Sequence, residues 1–134
     1  MNQVTYRLIQ AYYDAFNSGN RQAFLDLLTE NVAHDINQGQ RETGKQVFAN
    51  FMRVMDQHYV ERVSDLHIMV NEDGKHAAAE FIIDGEYIKS AVGLPSAKNQ
   101  KYRLLVGAFF EIREGKISRV TTYYNLQDWI TQVS

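Results

Sequence analysis

Asn31-Val-Ala-His-Asp-Ile-Asn-Gln-Gly-Gln-Arg-Glu-Thr-Gly44 is the stretch on which the reading of this chain turns. Apolar residues precede it, a helical pattern follows it, and residues 32–37 alternate as a strand does. Successive strand side chains point to opposite faces. Ala33, Asp35 and Asn37 therefore share one face, and Val32, His34 and Ile36 share the other. The second face has the make-up of a half-buried strand. The first sets a carboxylate beside an amide, and it meets either solvent or a cavity. In a cavity that carboxylate becomes a candidate base.

Upstream, residues 3–17 read as an amphipathic helix. Val4, Leu8, Ala11, Tyr12, Ala15 and Phe16 recur at spacings of three and four, and Asn17-Ser18-Gly19 supplies the stop. Asn20 is placed to cap a short second helix over 21–29, with Phe24, Leu27 and Leu28 on its buried edge. Downstream, Gly39 to Gly44 is turn chemistry. A third helix begins at Thr43 or Gly44 and runs to about His58, burying Val47, Phe48, Phe51, Met52 and Met55.

Beyond that helix the apolar period falls from 3.6 to 2. Segments 62–71 and 75–88 flank Glu72-Asp73-Gly74, and segments 101–113 and 116–125 flank Glu114-Gly115, so both pairs read as hairpins. Residues 93–99 form a loop, and a short helix starting at Leu126 carries Trp129, Ile130 and Val133. Three helices followed by long antiparallel strands make an α+β domain, with the helices on one side of a sheet. Strands of ten to thirteen residues span about 33–43 Å, and a sheet that long must twist and curl. With helices across its concave side it encloses a pocket. Gly85 and Gly107, inside strand patterns, are expected as bend or bulge points.

The chain of 134 residues fits one domain spanning 1–134. Its net charge of −2, with both signs interspersed, offers no basic block for phosphates, so nucleic acid is not expected as a partner. The absence of cysteine excludes disulfides and thiolate chemistry. No apolar run is long enough to span a membrane, and the first residues lack the apolar core of a signal peptide, so a cytoplasmic protein is expected. His67, His76, Asp65 and Glu80 come from separate strand segments without metal-ligand spacing, so no metal is expected.

The order of these words resembles the nuclear transport factor 2-like superfamily of cone-shaped α+β domains, in its ketosteroid isomerase and polyketide cyclase (SnoaL-like) branch. The resemblance rests on Tyr12-Tyr-Asp-Ala-Phe-Asn-Ser-Gly19, Leu27-Leu-Thr-Glu-Asn-Val-Ala-His-Asp35, Arg41-Glu-Thr-Gly44, Gly107-Ala-Phe-Phe-Glu-Ile-Arg-Glu-Gly-Lys-Ile117 and Tyr123-Tyr-Asn-Leu126. It implies a curved, mainly antiparallel sheet with three N-terminal helices enclosing the pocket. It also implies a catalytic pair. The isomerase's base is an aspartate nine residues before a glycine, as Asp35 stands before Gly44, and its oxyanion-binding tyrosine lies five residues before a helix-ending asparagine, as Tyr12 stands before Asn17. A third member, a protonated aspartate, would fall at or near Gly107 and is absent.

Asp35 is thus expected as a base with a raised pKa and Tyr12 as hydrogen-bond donor to a developing enolate oxygen, with no cofactor. Asn37, Phe109 and Phe16 are expected to line the ligand pocket, although a turn-closing role serves Asn37 equally well. His34 points away from Asp35 along a regular strand and reads as a structural histidine. The expected ligand is a small, largely apolar molecule with a carbonyl or hydroxyl group, and a non-catalytic binding or dimerisation module is the alternative. Apolar residues on both faces of the long strands, such as Phe109 beside Phe110, point to a homodimer built on the convex side.

Overall fold

The computed structural model describes residues 2–134. The elements run α1 (Asn2–Ser18), α2 (Arg21–Asp26), β1 (Leu28–Asp35), β2 (Arg41–Thr43), α3 (Lys45–His58), β3 (Tyr59–Val70), β4 (His76–Tyr87), β5 (Gln100–Arg113), β6 (Lys116–Tyr123) and α4 (Leu126–Val133). The strands form one sheet in the order β2-β1-β6-β5-β4-β3. All neighbours are antiparallel except β1 and β6, which run parallel.

Local chemistry sets the element ends. Gly19, at φ 73°, ends α1, with the amides of Gly19 and Asn20 turned back to the carbonyls of Phe16 and Ala15. The Asn20 side chain then accepts from the Ala23 amide at 3.0 Å and starts α2. Asn125 does the same for α4 through the Asp128 amide. Glu114 and Gly115 both take positive φ, as a two-residue turn between twisted strands requires.

Several boundaries differ from those expected. The second helix stops at Asp26, and Leu28 already pairs with Ile117 of β6, because sheet pairing offers Leu28 full burial. The turn after Asp35 closes a small hairpin in which Arg41–Thr43 adds an edge strand. The buried stripe of α1 is Thr5, Ile9, Tyr12, Tyr13 and Ala15, rotated by one position so that Val4 faces solvent. On α3 Val47 is likewise exposed while Phe48 and Met52 are buried. Gly85 and Gly107 are not bulges, since the β4–β5 register runs through both without a break. The register shifts fall instead after Ser64, after Glu111 and within β1.

The long strands settle which face is which. On β5 the even positions Tyr102, Leu104, Val106, Ala108 and Phe110 are buried toward the helices, and Leu105 and Phe109 are exposed on the opposite, convex side. α1 is fixed against the edge strand β3 by Asn17. Its amide nitrogen donates to the Val63 carbonyl and its oxygen accepts from the Val63 amide, both at 2.8 Å. That side chain thus completes the edge strand as another strand would.

Candidate active site

Helices α1–α3 and the concave face of the sheet enclose a cavity of about 260 Å³. Its wall is mostly ring and aliphatic surface: Tyr12, Tyr13, Phe16 and Phe24 from the first two helices, Phe48, Phe51, Met52 and Met55 from α3, and Val63, Phe81, Ile83 and Leu104 from the sheet. Leu94, Leu126 and Trp129 complete it. The 88–99 loop is tied down by Tyr87, whose hydroxyl donates to the Pro95 carbonyl at 2.6 Å and accepts from the Ala91 amide at 2.9 Å.

Polar side chains interrupt this wall, among them Arg21, His34, Asp35, Asn37, Asp56 and Glu61. Glu61 is the carboxylate that sequence reasoning missed. It stands on β3 opposite Gly85 of β4, and Gly85 is in turn opposite Tyr102 of β5. The Tyr102 ring lies over Gly85, and a Cβ there would come within 2.3 Å of the ring. Only glycine leaves room for the phenol to cross the strand and donate to Glu61 Oε2 at 2.6 Å. Burial pushes the Glu61 carboxyl above its ordinary value, and Asp56 adds to the rise; the Tyr102 hydrogen bond opposes it. A carboxylate with a raised pKa in a cleft is a candidate proton-transferring group.

Tyr12 is buried among Tyr13, Phe24 and Phe110, with ring centroids 5.0, 4.4 and 5.5 Å away. It lines the cavity, its hydroxyl has no protein partner among the described residues, and burial holds the phenol protonated far above the neutral range. It is available as a donor to a ligand oxygen. Phe16 also lines the cavity and carries the Arg21 guanidinium 5.2 Å above its ring. Arg21 forms a two-pronged pair with Asp56 of α3, at 2.7 and 2.5 Å, bridging α2 and α3 along the wall.

The expectation for Asp35 is corrected. Asp35 borders the cavity, but both its oxygens are engaged: Arg41 Nε and Nη2 donate at 2.7 and 3.0 Å and the Thr121 hydroxyl at 2.5 Å. Arg119 donates to the same Thr121 hydroxyl and pairs with Glu111. Hydrogen bonding from Arg41 holds the Asp35 carboxyl down at about 2, against the small opposing effect of burial. A carboxylate so held is a poor base, and the shift is opposite to the one expected. On β1 the buried pair is Val32 and His34, on the face expected to be half-buried.

Asn37 does line the cavity, but its side chain is committed to the Tyr124 backbone, donating to the carbonyl at 3.0 Å. Phe109 is corrected as well. It does not line the cavity; its ring stands on the convex face against Tyr123, 5.9 Å between centroids, because odd positions of β5 point outward. Gly107 shares that outward face, so a side chain there would not have served the cavity either.

Asp35→Asn is therefore expected to leave turnover within about threefold while lowering stability by about 1–2 kcal/mol at pH 7, a figure already reduced for solvent screening. With the folded-state value depressed from 3.8 to about 2, the contribution is present above pH ~4 and fades as pH falls toward 2. Urea unfolding of both proteins at pH 7 and pH 3 measures it. A gap that widens at pH 3 contradicts the ion pair.

The sequence profile of the SnoaL-like domain matches residues 9–120. The chain belongs to the SnoaL-like family. Among solved structures, a candidate polyketide cyclase from Xanthomonas campestris pv. campestris is 48% identical to this SnoaL-like chain, with a TM-score of 0.97 and 99% and 98% of the two chains covered. A candidate polyketide cyclase from Pseudomonas putida KT2440 is 55% identical, with a TM-score of 0.93 over 95% and 96%. More distant structures share the fold alone, among them an LEH-like epoxide hydrolase of M. tuberculosis at 16% identity and a TM-score of 0.77, covering 98% of this chain and 90% of that one. No curated protein matches the chain. Among the described residues no helix of this SnoaL-like protein is long and apolar enough to cross a membrane.

Proposed function

We propose that this SnoaL-like protein catalyses cofactor-independent proton transfer, as an isomerase or cyclase, on a small, largely apolar molecule bearing a carbonyl. The observation that carries the reading is Glu61: a carboxylate with a raised pKa, in the wall of an apolar cavity, held by a single tyrosine. Glu61 removes a proton from carbon beside the carbonyl, the C–H electron pair moves into the new C=C bond, and negative charge collects on oxygen. Tyr12 donates a hydrogen bond to that oxygen. Where the ligand has a C=C β,γ to the carbonyl, the resulting dienolate takes the proton back from Glu61 at the γ carbon. The double bond shifts into conjugation and the C=O re-forms, giving an isomer. In the cyclase outcome the enolate carbon attacks a second carbonyl of the same molecule, and the new alkoxide takes the proton. The apolar wall strengthens both interactions by excluding water. The cyclase class suggested for the two similar candidate polyketide cyclases supports this reading.

A panel of fused-ring ketones incubated with the protein in deuterium oxide tests the reading. Exchange of hydrogens beside the carbonyl, followed by proton NMR, is expected to exceed the rate without protein. Ketones that bind and never exchange would instead identify a non-catalytic binding module.

We further propose that the protein is a homodimer joined through the convex face of the sheet. Leu105, Phe109 and Tyr123 are 63%, 42% and 57% exposed there, and Phe109 and Tyr123 pack ring to ring, an apolar patch that a second copy would cover. Sedimentation equilibrium at micromolar concentration is expected to return twice the chain mass, and Leu105→Lys with Phe109→Lys to return one chain. A wild type that sediments only as monomer sinks the proposal.

A further inference from the structure

We propose that His34 is an oxygen-binding group of the cavity, donating a hydrogen bond from Nε2–H to the ligand's carbonyl. The inference rests on the proposed reaction for its catalytic meaning, though not for its binding test. It supplies the cavity with a donor in addition to Tyr12, on a face that Gly107 does not reach.

Three observations carry it. His34 lines the cavity yet is only 6% exposed, and its ring is fixed between aromatic neighbours. It stacks on Phe48 at 4.1 Å with the planes 9° apart and meets Phe51 edge-on at 4.6 Å. These contacts hold the plane of the imidazole against the α3 rings. Second, neither ring nitrogen has a protein hydrogen-bond partner among the described residues, and Nδ1 is wholly occluded while Nε2 is not. Buried N–H groups are left unpaired more rarely than buried acceptors. The proton therefore belongs on Nε2, the nitrogen that retains access to open space. Third, burial lowers the His34 pKa to about 4 despite the nearby Asp35 charge, so the ring is neutral near pH 7 and carries one N–H.

His34 and Tyr12 belong to the same wall of the cavity. Tyr12, Phe24, Phe48 and His34 form one continuous wall of rings, with successive centroids 4.4, 5.8 and 4.1 Å apart. The two polar ends of this wall are the Tyr12 hydroxyl and the His34 imidazole. A structural histidine would spend at least one nitrogen on the protein, and this one spends neither. Its Nε2 keeps access to the cavity, where a ligand acceptor can meet it in place of water.

The test compares 1-tetralone, a fused bicyclic ketone, with tetralin, the same rings without oxygen. Binding of each to wild type, His34→Phe and His34→Gln is followed by NMR titration. His34→Phe is expected to weaken 1-tetralone about three- to tenfold, the worth of one net hydrogen bond, and to leave tetralin within twofold. His34→Gln, which keeps an N–H donor, should recover part of the loss. In the wild type at pH 7, imidazole 15N shifts should report the Nε2–H tautomer, and they require no variant to fold. An Nδ1–H tautomer, an imidazolium, equal losses for ketone and hydrocarbon, or a ketone no tighter than the hydrocarbon in wild type would each overturn the proposal. Failure of the proton-transfer reading looks different: 1-tetralone still distinguishes His34 from Phe, but its hydrogens never exchange.

Discussion

Glu61→Gln is expected to lower ketone hydrogen exchange by about 10²–10⁴-fold while leaving ketone binding nearly intact. The amide preserves the shape of the side chain and can still accept from Tyr102. It cannot take a proton from carbon. Because burial raises the Glu61 pKa, the acid limb of the wild-type exchange profile should lie above the ordinary carboxylate value of 4.5. Tyr102→Phe removes the hydrogen bond that opposes the rise, so it should move that limb higher still. Stability should change in the opposite sense to activity. A folded-state pKa above the unfolded one means that the ionised carboxylate costs stability above the folded pKa, a cost that vanishes below the unfolded value. At neutral pH the glutamine variant is therefore expected to be as stable as wild type or more so, by thermal melt. Undiminished exchange in a folded Glu61→Gln protein would remove Glu61 from the reaction.

The contrast between Glu61 and Asp35 shows how far the sequence carries a reader here. Element types were legible because apolar spacing changes from three-and-four to two near residue 59, and Asn20 and Gly19 mark their helix ends plainly. The SnoaL-like resemblance likewise placed Tyr12 in the cavity wall. What failed was the environment of each acid. Asp35 lies six residues before Arg41, and the Asn37-Gln-Gly-Gln40 turn brings the two into direct register. That hairpin was present in the sequence as turn chemistry, and reading it as a hairpin would have paired the acid with its base. Glu61 had no such local signal. It fell between the third helix and the strand expected from residue 62, whereas β3 begins at Tyr59. Its partner Tyr102 is 41 residues away, and they meet only because β3, β4 and β5 align Glu61, Gly85 and Tyr102 in one row. The faces of β5 had the same character: Phe109 and Phe110 are adjacent aromatics, and only the packing of α1 against Phe110 decides which one turns inward.

Gly85→Ala should damage both stability and activity, through a side chain that never touches ligand. The added methyl would occupy space now held by the Tyr102 ring, with ring atoms and hydroxyl at 2.3 to 2.5 Å from the new Cβ. Backbone strain is not the cause, since Gly85 does not take a positive φ. The clash has to be relieved by moving the ring. Tyr102 is itself packed against Trp129 at 5.9 Å, so displacement disturbs the α4 side of the core. Overpacking of this kind costs about 1–3 kcal/mol, measurable by urea denaturation. The ring cannot move without drawing its hydroxyl away from Glu61. Loss of that donor raises the Glu61 pKa further, so the acid limb of the exchange profile should shift upward, as in Tyr102→Phe, and exchange should fall at pH values below the new limb. A double variant separates the steric cause from any other. In a Tyr102→Ala background the ring is gone, the methyl finds room, and Gly85→Ala should add less than about 0.5 kcal/mol to the loss already incurred. If the two costs simply add, the glycine is needed for something other than the passage of Tyr102 across β4, and the row from Glu61 to Tyr102 is not what fixes the carboxylate.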